Sequence, residues 1–279
     1  MSVGVRPKSP TERLLAANAW LVFAFLYAPI VVLAVFSFND NNNVGIWTEF
    51  SFRWYGEMFQ NAPVMNALKN SLIVAAVSTT VSTVLGTATA VALERYRFRG
   101  QRLFDGLVYM PVIIPDVTMA VMMLLFFASA FRMTGGFGLS FGLGTISLSH
   151  IAFSISFVAI VVRARLGQLD PSLEEAAADL YAGRWMTFRK VTLPLIAPAV
   201  AGGALLALTL SLDDVVVTSF VAGPGSTTLP VYVFGLVRRG VTPLINAVSM
   251  VMLTASMVLV AVSLVFQRER GGRSVSGDA

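Results

Sequence analysis

Side chains able to do chemistry are scarce in this 279-residue sequence, and the informative ones are carboxylates. The single histidine, His150, excludes His-cluster metal sites and most histidine catalysis; the lack of cysteine excludes thiolate ligands and disulfides. Standing among serines, His150 reads as a hydrogen-bonded interior residue. Asp116 is a lone carboxylate in a long apolar stretch. Near a helix centre such a charge costs roughly 2.5–3.5 kcal/mol on insertion scales, so it must face protein or water rather than lipid. Pro111 and Pro115 each remove a helical N–H just before it. Broken helices whose freed carbonyls line a cavity are tolerated in membranes. Asp116 is therefore either the structural partner of a neighbouring donor or an acid facing a path, where an ammonium would suit it. Asp213 and Asp214 form a second acidic pair. They either cap the helix they end at the water interface, or make an acidic mouth whose local field attracts a polycation.

The elements that must hold these residues are membrane helices. Hydrophobic residues make up 56% of the chain and charged ones 13%, where a soluble domain has ~25% charged. A bilayer core takes roughly 20 apolar residues per helix. Six stretches qualify: Trp20–Phe36, Ser71–Leu93, Gly106–Phe131, Ile146–Val162, Leu195–Leu212 and Leu244–Phe266. The first follows Arg6, Lys8 and Arg13 as a signal peptide would, but no small-x-small cleavage site follows it, so it reads as a retained anchor. Even span number puts both termini on one side. Fifteen Lys and Arg lie in the two tails and the loops after spans 2 and 4, against five opposite. That bias places both termini in the cytoplasm. The net charge of +5 is thus topological and calls for no nucleic-acid partner. Opposite, Asn39–Asn43, Trp47, Trp54 and Tyr55 suit the membrane–water interface or an external partner. The methionines of the spans read as packing. The layout is residues 1–19 as a cytoplasmic tail, 20–266 as one transmembrane domain with an inner loop at about 163–194, and 267–279 as a second tail.

That inner loop carries most of the information. Asp170-Pro171 suits a helix start, and Ser172 with Glu175 offers a capping box. Apolar or small residues recur at 173, 176, 177, 180 and 181, one helical face. Gly183 marks a turn, Trp185 and Phe188 begin a second stripe, and Pro194 and Pro198 flank the start of span 5. Periodicity alone leaves two homes for such a helix, the bilayer surface or a partner's groove. Its acidic start and alanine content point away from the bilayer and toward close approach to another protein. No GxxxxGK[ST] phosphate loop is present.

Glu175-Ala176-Ala177, with Leu193-Pro194 beyond, resembles the "EAA" motif of inner-membrane permeases of ABC importers. Four further segments resemble the second permease of spermidine/putrescine importers: Phe36–Asn39 with Phe52–Tyr55, Tyr109–Asp116, Ser211–Val217, and Leu229-Pro230 with Gly240–Ala247. The resemblance implies an all-α, six-helix, type I (MetI-like) permease of the bacterial inner membrane. It also implies a polyamine cargo moved by alternating access; permeases for opines, amino acids and other small amines share the pattern. A homologous second permease, two ATPase subunits and an external binding protein would be partners, beside membrane lipid. This chain would hold no cofactor and would not be an enzyme, ATP and Mg belonging to the ATPase. The docking set would be Glu174, Glu175, Ala176, Ala177, Leu180, Tyr181 and Gly183. The family has glycine six residues after the motif glutamate; Tyr181 stands there, with Gly183 two residues later, which points to a shifted bend. Asp116, Asp213, Asp214, Phe234 and Arg238 would line the path. Phe234 and Arg238, at i, i+4, would border a gate near Asp116. A secondary transporter would show inverted repeats, which are not evident, and a channel or structural subunit would have no use for the loop motif.

Overall fold

The computed structural model describes residues 10–133, 140–239 and 242–272. Arg6, Lys8, Arg273 and the Gly240-Val241 start of the last family segment lie outside them. The described residues form twelve α-helices, and their contacts group the chain into two compact units.

One unit runs to Asn61 and includes Leu236–Leu253. Its first helix, α1 (Pro10–Phe36), begins earlier than the predicted span and buries no residue. A 27-residue apolar helix exposed all round is what a bilayer or a partner must cover. After it, buried Asn39 organises the chain: its amide donates to the Ile46 carbonyl (2.7 Å), and its side-chain oxygen accepts the Thr48 amide (3.0 Å). Trp54, on α2 (Arg53–Gln60), is buried and donates its indole N–H to the Asn39 carbonyl at 2.8 Å. Trp54 is thus committed to the unit's interior, while Trp47 stays exposed.

The other unit holds residues 62–235 and the chain from Thr254 onward. At its centre α3 (Ala62–Arg95), α6 (Leu143–Leu166) and α9 (Leu193–Asp213) pack together. Small residues permit the close approach. A Cβ at Gly86 of α3 would lie 2.7 Å from the Val158 Cβ and 2.9 Å from the Ile155 carbonyl of α6. A Cβ at Gly203 of α9 would lie 3.3 Å from the same Val158, so this valine is wedged between two glycine-bearing helices. Ala90, Val158, Val162, Leu166, Ile196 and Ala207 make the surrounding core.

Predicted span 3 is not one helix. It splits into α4 (Gln101–Ile113) and α5 (Asp116–Met133). Pro115 pushes the preceding Ile114 into extended backbone (ψ 131), which ends α4, whereas Pro111 is absorbed inside α4. Asp116 therefore opens a helix instead of sitting near its centre, and the positive end of the α5 dipole favours its charge. Span 4 extends at both ends. The helix of span 5 is continuous with α8 (Arg184–Thr187) through a π-helical turn, Phe188–Thr192, giving 30 residues in all. Pro194 has no amide for the carbonyl four residues back, and the ladder widens to i→i+5 just ahead of it: the Leu193 amide bonds Phe188. α10 (Val216–Val221) packs on α5, α11 spans Leu229–Arg239, and α12 (Pro243–Gly272) covers the sixth predicted span.

Candidate functional site

At one end of the larger unit the 163–194 loop is held from behind by ions. Arg163, near the end of α6, reaches Glu94 of α3 at 3.2 Å and also pairs with Asp105 of α4. From there α7 (Ser172–Asp179) begins on Asp170, whose carboxylate accepts the Ser172 amide at 2.9 Å. That bond holds the Asp170 carboxyl below its ordinary value. The Ser172–Glu175 capping box is not formed, because the helix starts a residue early and Ser172 already lies inside it. On its inner side, Glu174 accepts from the Arg95 guanidinium of α3 (3.1 Å) and from the Thr192 hydroxyl of the π turn (2.9 Å). Glu175 and Ala176 face outward, and Ala177 is half-buried.

The bend after α7 is not shifted. Tyr181 takes the left-handed conformation itself, at φ 58, in the position where the family has glycine. The Ala182 amide bonds the Ala177 carbonyl (3.0 Å) and the Tyr181 amide bonds Ala178 (2.9 Å), the paired bonds of a Schellman cap. Gly183 then starts α8 in extended backbone. A side chain at positive φ costs about 1 kcal/mol, and here the ring it carries is not buried in return. Tyr181 is 99% exposed, Leu180 82% and Trp185 72%, with Met186 and Leu173 also out. These apolar side chains are gathered on one outer side of a loop that polar contacts hold from behind.

At the other end a buried polar chain crosses four helices. Ser78 of α3 donates to Ser211 of α9 (3.0 Å), and Ser211 lies 2.8 Å from the His150 Nδ1. The His150 Nε2 reaches Thr218 of α10 (3.0 Å) and Asp214 (3.3 Å). Thr218 donates its hydroxyl and its amide to Asp214, both at 2.7 Å. With a neutral imidazole protonated on Nε2, every hydroxyl in the chain donates in one direction and the last acceptor is the carboxylate. His150 is the interior residue its neighbours implied. Asp214 is a cap, but of α10, the helix that follows it. Its neighbour Asp213 ends α9 and is exposed, as is Asp116. Phe234 and Arg238 share an exposed face of α11. The segment after α10 is tied back by Asn70, whose amide reaches the Gly225 and Thr227 carbonyls (3.0 Å each). Among the described residues no group of three His, Cys, Asp or Glu side chains is placed to hold a metal.

Sequence reading missed the Arg95, Arg163 and Thr192 partnerships, the arginines having been weighed only as orientation signals. Glu174 lay off the apolar stripe, the one hint that it turns elsewhere.

Residues 82–269 match the family described as the inner membrane component of binding-protein-dependent transport systems. The chain is 46% identical over 246 residues to the putrescine transport system permease protein PotI of Escherichia coli K12, covering 88% of this chain and 85% of the relative. It is 39% identical over 260 residues to the spermidine/putrescine transport system permease protein PotC of Haemophilus influenzae, covering 92% and 98%. Its fold is similar to that of a bacterial ABC transporter importing the acidic polysaccharide alginate: TM-score 0.74, 21% identity, 92% of this chain and 94% of that one. A methionine ABC transporter in inward-facing form gives TM-score 0.63 at 20% identity, over 75% and 99%.

Proposed function

Since the chain belongs to the inner-membrane-component family of binding-protein-dependent transport systems, we propose that it is the permease subunit of an ATP-driven polyamine importer. It forms half of a path completed by a homologous second permease. An external binding protein delivers cargo, and two ATPase subunits hold the ATP and Mg. Both termini and the 163–194 loop face the cytoplasm, in keeping with the Lys and Arg bias.

The exposed ledge Leu180, Tyr181, Trp185 and Met186, held from behind by ion pairs, carries the docking reading. Aromatic side chains on a rigid support are the usual anchors of a partner's groove. Glu175, Ala176, Ala177 and Gly183 complete that surface. Closing of the ATPase pair displaces α7 and α8, and the continuous α8–α9 run passes the movement into the bundle. For the cargo, Asp116 and Asp213 are the exposed members of the three candidate acids, with Phe234 and Arg238 as candidates on α11; the putrescine and spermidine names of two relatives point to the amine class.

Uptake of labelled putrescine by cells expressing the whole operon tests the assignment. Asp116→Asn and Asp213→Asn are each expected to lower uptake several-fold, with protein level unchanged. Wild-type uptake by both variants would remove these acids from the path, and no uptake by the native system would remove the polyamine.

A further inference from the structure

We infer that Glu174 acts as a strut that carries displacement of α7 into α3 and α9, and is not part of the docking surface. The inference rests on the docking reading above and assigns one residue within it a different task.

α7 is two turns long and buries no residue, so packing does not fix its position. Its chain ends and its polar contacts must do so. Glu174 is the α7 side chain bonded to two other elements at once. Its Oε1 accepts from Arg95 Nε at the end of α3 and from the Thr192 hydroxyl at the foot of α9. Among the described residues, Arg95 bonds Glu174 through Nε. Its Nη2, on the same edge of the guanidinium, is shut away from solvent and has no hydrogen-bond partner among the described residues. A carboxylate can engage that edge with both oxygens, and here half of the fork is unmade while Oε1 is shared with Thr192. The arrangement thus has a defined alternative: Glu174 lets go of Thr192 and takes both donors of Arg95. Moving α7 toward α3 exchanges one set of bonds for the other, and the exchange reaches the π turn through Thr192. Glu175, one residue on, points away and remains for the partner.

The test uses the full complex, with second permease, ATPase and binding protein co-expressed. Two quantities are read: ATPase recovered with the chain, and ATP hydrolysis stimulated by cargo-loaded binding protein, with uptake alongside. Glu174→Gln and Arg95→Gln should retain the ATPase at wild-type stoichiometry and lose stimulation and uptake by roughly tenfold. The charge swap Glu174→Arg with Arg95→Glu should recover a substantial part of the loss, and Thr192→Val should lose about threefold. Retention of the ATPase at wild-type stoichiometry separates a strut from mere misfolding, which would shed it, and rescue by the swap ties the loss to this pair. The strut is overturned if Glu174→Gln sheds the ATPase while Arg95→Gln keeps it, or if all variants transport normally. A wild-type chain that brings down no ATPase overturns the docking reading itself.

Discussion

Tyr181 and Gly183 show how much one backbone angle decides. The left-handed position belongs to Tyr181, so glycine there should relieve strain: Tyr181→Gly is expected to gain up to about 1 kcal/mol, read as a higher unfolding midpoint in detergent. The same change removes a fully exposed ring, and ATPase recovery should fall by about tenfold. Stability and assembly moving in opposite directions would identify the ring as an anchor; a joint rise would assign it no role in docking. The adjacent acids divide in the same manner. His150→Ala leaves Ser211, Thr218 and Asp214 short of a buried partner and should destabilise by about 1–3 kcal/mol. Asp213→Asn, at an exposed position, should shift stability by no more than about 0.5 kcal/mol. Thermal unfolding of the two variants side by side measures that difference. Residue types alone announced both acids but not which was satisfied, because one partner of Asp214 is distant in sequence, His150 lying 64 residues away, and its local donors form only once α10 starts where it does.

Helix positions were legible because apolar runs of bilayer length leave few alternatives. Span 3 is the exception. Its two prolines were visible, yet only Pro115 interrupts the ladder, through its effect on Ile114, and nothing in composition separates it from Pro111, which α4 tolerates. The contacts of Glu174 were not legible for a related reason. Its partner Arg95 is 79 residues away, and periodicity reports a face without reporting what opposes it. Packing of the central trio makes its own prediction. Gly86→Ala places a methyl within 3 Å of a backbone carbonyl and a β-carbon, and should destabilise by about 1–3 kcal/mol. Gly203→Ala, where the nearest atom is 3.3 Å away, should be milder. The ratio of monodisperse to aggregated protein on gel filtration after a heating series ranks the two.

At the scale of the whole molecule, the absence of cysteine is an experimental convenience. Single substitutions need no prior removal of native thiols. Arg99→Cys and Tyr181→Cys should react with a membrane-impermeant maleimide only in inside-out vesicles, and Asn43→Cys and Arg132→Cys only in intact spheroplasts. The reverse labelling would invert the topology read from the Lys and Arg bias. The wedge of Val158 between Gly86 and Gly203 has a mechanical corollary. Three helices locked by one valine have no slack for sliding and must travel as a solid block. Compliance is left to the places where the helices end in extended backbone: Ile114-Pro115 and the Asp214-Val215 step. A cycle built this way bends at two joints around an unbending middle.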